Sequence, residues 1–352
     1  VPDPRPFILD VDTGIDDSLA LLYACASPEV DLVAVTCVAG NVDARQVAEN
    51  TRAVLELVGR TDIEVALGRE TPLARELETT PETHGPRGIG YAELPPASRP
   101  LSSRHAADLL IEEVRRRPGE LTLVTLGPLT NLAVAVLREP DLPRLIGRYV
   151  LMGGSYRSPG NTAPTTEWNI HVDPEAARIV FHAWETVVAD DPAVGRPVAL
   201  GLDVTERAKF TPDHMVRLAR RAGSHPDERL APADGIETRS VASDPVVRYI
   251  ADALRFYMES HSRYDGFYGA FIHDPLAVAA AIDPTLVRTE ALTVEVELAG
   301  RLTTGETVTD WRRTWRRAPD LDVAVEADAE AFLDRFIERV GGLAARLGDM
   351  AR

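Results

Sequence analysis

Asp10-Val11-Asp12-Thr13-Gly14-Ile15-Asp16-Asp17 places four carboxylates within eight residues, directly after the apolar run Phe7-Ile8-Leu9. Like charges at this density repel one another. A hard cation such as Ca²⁺ or Mg²⁺ resolves the conflict, because it takes carboxylate oxygens as ligands. Gly14 has no Cβ, so the chain can turn tightly there and bring the two acidic pairs together. Asp16-Asp17 then lead into Ser18-Leu19-Ala20-Leu21-Leu22-Tyr23-Ala24, a good helix pattern. The motif therefore occupies a strand–turn–helix junction, where open α/β sheets place their sites. A solvated helix cap would account for Asp16 and Asp17. It would not account for Asp10 and Asp12, which end an apolar strand.

Beyond this junction, Val30–Val38 reads as a β-branched strand that leads to Asn41. Asp43–Val58 reads as a helix with Val47, Val54, Leu55 and Val58 on one stripe, and Glu64–Leu67 as a third strand. This βαβαβ order predicts an α/β fold with a mostly parallel, doubly wound, Rossmann-like sheet and helices on both faces. Residues 70–100, rich in Pro, Gly, Thr and Glu, are expected to form a long loop at the site. Further helices are expected at His105–Arg117, Leu129–Leu137, Asp173–Ala183, Val246–Tyr264, from Pro275, and at Ala329–Leu347. Strands are expected at Leu121–Leu126, Tyr149–Met152 and Val198–Val204, with a small antiparallel hairpin from Leu292–Leu298 and Thr307–Trp311. Residues 155–169 read as irregular and Ala189–Pro197 as extended. No linker divides the 352 residues, so a single domain over 1–352 is expected. The polar, Pro-rich stretch 222–245 reads as an insertion or mobile loop.

Composition narrows the function. A formal net charge of −17 disfavours nucleic acid and anionic membrane as partners and suits a cation site. No apolar stretch reaches the length of a membrane span. Val1-Pro2-Asp3-Pro4-Arg5-Pro6 lacks the basic and apolar regions of a signal peptide. Cys25 and Cys37 form no CxxC pair and read as buried, inert thiols, so a cytoplasmic setting is expected. The single lysine, Lys209, belongs to no phosphate-binding loop, which disfavours P-loop nucleotide enzymes and aspartate-nucleophile phosphatases.

Polar residues recur at the other strand ends. Asn41, Leu126-Gly127, Gly160-Asn161 and Glu167-Trp168-Asn169 follow strands, and His273-Asp274 precede a helix. In a parallel sheet these positions share one edge. The first motif resembles the DxDxGxDD signature of the nucleoside hydrolases. Thr83-His84-Gly85-Pro86-Arg87-Gly88-Ile89-Gly90 resembles that family's HGxxGxG segment, and Gly127-Pro128-Leu129-Thr130-Asn131 its GPLTN turn. Met152-Gly153-Gly154, Gly160-Asn161, Glu167-Trp168-Asn169, Asp173-Pro174-Glu175-Ala176-Ala177 and Ile272-His273-Asp274-Pro275 follow in the family's order. The resemblance runs from about residue 7 to about residue 311 and implies Ca²⁺-dependent cleavage of the N-glycosidic bond of ribonucleosides.

On this resemblance, Asp12, Asp17 and Asp274 with the Leu126 carbonyl hold Ca²⁺, an oxygen-only set that suits that ion. Asp12 also serves as general base toward a water held by the ion, and Asp10 buttresses the turn. Catalytic roles fall on Asp12, Asn41 and His273, the last as acid to the departing base because imidazole titrates near neutrality. Asp16, His84, Met152, Asn161, Glu167, Trp168 and Asn169 are expected to contact the nucleoside. Several of these residues also have a plain structural reading. Asn41 and Asn161 suit turns, Asp274 suits a helix cap before Pro275, and Trp168 and Met152 suit a core. Rings among Tyr257, Tyr264, Phe267, Tyr268 and Phe271 are available to stack on a base. The resemblance further implies a homodimer or homotetramer. A modified nucleoside as substrate and a non-catalytic, calcium-stabilised ribose-binding protein are the alternatives.

Overall fold

The computed structural model describes residues 3–232, 235 and 237–350. In the first half, strands β1 (Arg5–Val11), β2 (Val30–Cys37), β3 (Glu64–Leu67), β4 (Thr122–Thr125) and β5 (Arg148–Met152) alternate with helices. These are α1 (Ile15–Ala26), α2 (Ala44–Leu57), α3 (Pro81–His84), α4 (Ala106–Arg116), α5 (Thr130–Arg138) and α6 (Leu142–Leu145). Then come α7 (Trp168–Val172), α8 (Pro174–Asp190), β6 (Val198–Leu200), α9 (Leu202–Thr205), β7 (Lys209–Phe210) and α10 (Pro212–Arg221). The chain continues through α11 (Pro245–Tyr264), β8 (Ala270–Phe271) and α12 (His273–Ile282). It finishes with β9 (Val287–Leu292), β10 (Val294–Val296), β11 (Thr307–Thr309), β12 (Leu321–Ala327) and α13 (Ala329–Met350).

Eight strands form one sheet in the order β3-β2-β1-β4-β5-β6-β12-β9, parallel except for β9 against β12. Alternation along β1 divides the core. Phe7, Leu9 and Val11 join the apolar cluster that contains α1, α11, α12 and α13, whereas Ile8 joins the cluster of α4, α5 and α8. Helices therefore cover both faces, as the βαβαβ reading predicts. Strand order reverses between β1 and β4, which opens a crevice at their C-terminal ends.

Several boundaries differ from the sequence reading. The strand expected at Val198–Val204 stops at Leu200, because Gly201 caps the short helix α9. Helix α8 runs seven residues beyond the expected Ala183, since Trp184, Val187 and Val188 continue its buried stripe. The expected hairpin is the antiparallel pair β10 and β11, shorter than foreseen. Strand β12 and helix α10 were not foreseen. Within 222–245, residues 233, 234 and 236 lie outside the described residues, and the rest of that stretch before α11 carries no helix or strand. Asp252 accepts from the Ser240 amide at 2.8 Å and Glu228 from its hydroxyl at 2.6 Å, which ties the segment to α11.

Trp184 is 1% exposed and packs on Tyr149 at 4.6 Å between ring centroids, so it joins α8 to the sheet. Trp184→Ala is expected to cost about 3–5 kcal/mol in urea unfolding. A loss below about 1 kcal/mol would show that this contact does not anchor the helix layer.

Candidate active site

The acidic junction folds into the crevice. Asp17 organises it: Oδ1 accepts from the Asp12 amide at 3.1 Å, and Oδ2 from the Gly14 amide at 2.9 Å and Asn41 Nδ2 at 3.2 Å. Asp12 Oδ2 accepts from the Asn41 amide at 2.9 Å. Its Oδ1 is buried with no hydrogen-bond partner among the described residues. Two glycines make room for this carboxylate. A Cβ on Gly40 would stand 2.1 Å from Asp12 Oδ2, and one on Gly127 would stand 2.7 Å from Oδ1.

One carboxylate oxygen each from Asp16, Asp17 and Asp274 lie within 4.8 Å of one another. Ligands of one Ca²⁺ at 2.3–2.6 Å stand at most about 5 Å apart, so this spacing fits a single ion. Asp12, expected among the ligands, is outside this closest group and lies against Asp17. The Leu126 carbonyl accepts from Asn169 Nδ2 at 2.6 Å and keeps a second lone pair. Burial raises the carboxyls of Asp12, Asp16 and Asp274 well above their usual range, and mutual repulsion raises them further. An unpartnered buried carboxylate oxygen and a crowd of carboxyls that resist ionisation are what a bound cation would relieve.

Asp10 lies behind this group, as expected. Burial pushes it up to about 7, although Thr36 donates to Oδ1 at 2.5 Å and Asn131 at 2.8 Å. Asn131 also donates to the Cys37 carbonyl at 3.1 Å and accepts from the Arg69 amide at 2.8 Å, which joins three strand ends.

Above the carboxylates is a cavity of about 390 Å³. Asp16, Asn41, His84, Leu126, Met152, Asn161, Glu167, Trp168, Asn169, His273 and Asp274, all singled out in the sequence, line it. Glu167 has a structural role as well. It caps α7, and its carboxylate accepts from the amides of Asn169, Gly154 and Ile170 at 2.8, 2.8 and 3.2 Å. Asn161 accepts from the Trp168 amide at 3.0 Å, and the Trp168 Nε1 is buried without a partner among the described residues. His171 stands outside the cavity beside Glu78.

Three imidazoles line the cavity, and their partners fix their tautomers. His84 Nδ1 accepts from the Ile15 amide at 3.0 Å, so its proton sits on Nε2. Burial pushes its pKa down to about 3, so its 4.0 Å approach to Asp16 is not an ion pair. His273 Nδ1 stands 2.8 Å from the Thr205 hydroxyl, which itself donates to the Gly201 carbonyl at 3.1 Å. His273 therefore donates from Nδ1 and leaves Nε2 bare. Its pKa is also pushed down to about 3, by burial and by His261 and His84, and not held near the ordinary histidine value. His273 can give up a proton from Nε2 only after taking one up there.

His261 is the third imidazole, and sequence reasoning passed over it. It follows Tyr257 by four residues on α11, so helical spacing places the two side by side. That spacing was the available signal. Phe271, Tyr264, Glu206 and Asp265 complete this end of the cavity, and burial with nearby Asp265 raises Glu206 to about 7.

The family model of the inosine-uridine preferring nucleoside hydrolases matches residues 7–334. An inosine-uridine preferring nucleoside hydrolase of Leishmania major is 36% identical over 96% of this chain and 99% of its own. A pyrimidine-specific ribonucleoside hydrolase of Enterobacter sp. (strain 638) is 36% identical over 97% of this chain and 99% of its own. The solved structure of a purine-preferring ribonucleoside hydrolase from Gardnerella vaginalis superposes with a TM-score of 0.84 at 32% identity, covering 97% of this chain and 100% of that one. Strand order, acidic crevice and these matches agree: the chain belongs to the inosine-uridine preferring nucleoside hydrolase family.

Proposed function

We propose that this chain hydrolyses the N-glycosidic bond of ribonucleosides to free base and ribose, with Ca²⁺ held by Asp12, Asp16, Asp17, Asp274 and the Leu126 carbonyl. The observation that carries the reading is the convergence of Asp16, Asp17 and Asp274 oxygens, with Asp12, bonded to Asp17 through its amide, leaving Oδ1 buried and without a partner among the described residues. A donor set made only of oxygen suits calcium over zinc or copper. Bound there, the ion would supply positive charge that acidifies a neighbouring water and attracts hydroxyl oxygens.

The chain's own residues supply the remaining steps. Asp12 Oδ1 accepts the proton of the water that attacks C1′. Asn41, held by Asp12 and Asp17, and Asn169, held by the carbonyls of Leu126 and Met152, present amides to the sugar. Positive charge grows on the sugar ring as the C1′–N bond opens, and the surrounding carboxylates stabilise it. The electron pair of the C1′–N bond leaves with the base, whose nitrogen takes a proton from solvent water or from His273 Nε2 once that atom has taken one up.

Incubation with inosine, uridine, adenosine and cytidine, followed by a free-ribose assay, tests the reading. Ribose release that a strong calcium chelator abolishes and added Ca²⁺ restores is expected. Release that is indifferent to chelation would remove the ion from the reaction. Asp12→Asn is expected to lower kcat by about 10²–10⁴ while calcium still raises the melting temperature. Full activity in that variant would assign the base elsewhere.

Charge also sets a limit on the substrate. Asp16, Glu82, Glu167, Glu206, Asp265 and Asp274 line the cavity, and no lysine or arginine does so among the described residues. Nucleoside 5′-monophosphates are expected to react at least about 100-fold more slowly than nucleosides, because a phosphate taken out of water there finds no cationic side chain to pair with. Comparable kcat/KM values for uridine and its 5′-monophosphate would contradict this.

A further inference from the structure

The two ends of the cavity differ in chemistry. Carboxylates and amides gather at one end, where ribose hydroxyls find both donors and acceptors. The rings of Tyr257, Tyr264 and Phe271 gather at the other, where a planar base finds faces to stack on. A base that departs toward those rings needs a proton, and hydrogen bonding withholds one at each imidazole. His261 Nδ1 stands 2.8 Å from the Tyr257 carbonyl oxygen, which can only accept, so its hydrogen is committed to the helix and Nε2 is bare. His273 commits its Nδ1 hydrogen to Thr205 and is bare at Nε2 as well. His84 accepts from the Ile15 amide and keeps a neutral ring N–H. None of the three, so bonded, is an acid. Phenols ordinarily titrate near ~10, and burial pushes Tyr257 higher.

Glu206 caps the C-terminus of α9 and brings a carboxyl to the same end of the cavity. No described residue hydrogen-bonds that carboxyl. Its acidic neighbours are Asp265, which ends α11 and also lines the cavity, and Asp203 of α9. The Asp203 oxygens are taken by the amides of Tyr156, Arg157 and Ser158 at 2.9, 2.7 and 3.0 Å. Lys209 offsets these charges only in part. It forms no ion pair with Glu206 and lies over the rings of Phe267 and Phe271, 5.1 and 5.6 Å from their centroids. Burial, Asp265 and Asp203 push Glu206 up to about 7, so near neutrality a good share of it carries a proton.

We propose that the Glu206 carboxyl is the acid that supplies the departing base with its proton, directly or through one water of the cavity. The proposal rests on the ribonucleoside hydrolase reading and assigns that reaction a second carboxyl. The attacking water bonds to C1′ and gives its proton to Asp12. As the C1′–N bond breaks, its electron pair stays on the base, and the Glu206 proton neutralises it. Asp12 then releases its proton to solvent, and solvent reprotonates Glu206. Glycoside hydrolysis commonly divides its work this way, with one carboxylate serving the water and one carboxylic acid serving the leaving group. A carboxyl that titrates near neutrality is matched to that second task.

The test is the pH dependence of kcat/KM, which reports groups of the free enzyme. Inosine and uridine are compared with p-nitrophenyl ribofuranoside, whose phenolate leaves without a proton. On the nucleosides the wild type is expected to lose activity as pH rises through about 7, where Glu206 gives up its proton. Glu206→Gln is expected to abolish that decline and to lower kcat/KM for both nucleosides at pH 6 by about 10²–10⁴, leaving the aryl riboside within about threefold. Asp265→Asn removes a charge that holds the proton on Glu206 and is expected to move the decline to lower pH. It carries the test if the glutamine variant fails to fold. Nucleoside activity and an alkaline decline that both survive Glu206→Gln would overturn the proposal. Equal losses on the nucleosides and the aryl riboside would do so too, as would a decline indifferent to Asp265→Asn. Those outcomes leave hydrolysis standing. A wild-type chain that releases ribose from no nucleoside and not from the aryl riboside would overturn the hydrolase reading, and this proposal with it.

Discussion

Five buried carboxyls, on Asp10, Asp12, Asp16, Asp17 and Asp274, crowd one end of the sheet, and much of the surrounding structure serves to hold them there. Desolvation and mutual repulsion both oppose their charge. The backbone compensates in part. Amides of Asp12, Gly14 and Asn41 point at carboxylate oxygens, and glycines stand where any side chain would collide with them. The compensation is incomplete at Asp12 Oδ1 and Asp10 Oδ2, which are buried without partners among the described residues. Such a site trades fold stability for function, since polar groups left unsatisfied in a native structure cost free energy.

Topology brings this group together. The reversal of strand order between β1 and β4 leaves a crevice into which the ends of β1, β2, β4 and β5 all open. Asn131, at the start of α5, crosses from one side of the reversal to the other by bonding Asp10 and the Cys37 carbonyl. The two halves of the sheet are thereby joined beneath the carboxylate cluster, and a substrate bound above would contact residues from both.

Local sequence carried the parts of this picture that depend on neighbours in the chain. The apolar run Phe7–Val11, the turn at Gly14 and the helix after it sit where period and composition put them. Strand β6 was overextended because apolar residues continue past Gly201, where the backbone turns into a helix. Helix α10 escaped notice because its surface is crowded with arginine, and only Met215, Leu218 and Ala219 are buried. What local spacing could not supply was pairing across long separations. Nothing near Asp274 says that it meets Asp16 and Asp17; the family pattern made it a candidate ligand, and the fold supplied the contact. The imidazole partners were equally hidden. Thr205 orients His273 from 68 residues away, and the bond that makes His84 an acceptor comes from Ile15, 69 residues away.

That last bond has a consequence for motion. The Ile15 amide opens helix α1, and helix N-termini leave such groups without intrahelical partners. His84 supplies the partner from the loop between β3 and α4, so the loop completes the first turn of a buried helix. The segment around His84 cannot swing away as a free flap without uncapping α1 next to Asp16 and Asp17. Opening of this wall and loosening of the acidic turn are one event, and amide exchange at Ile15 would report the rate of both.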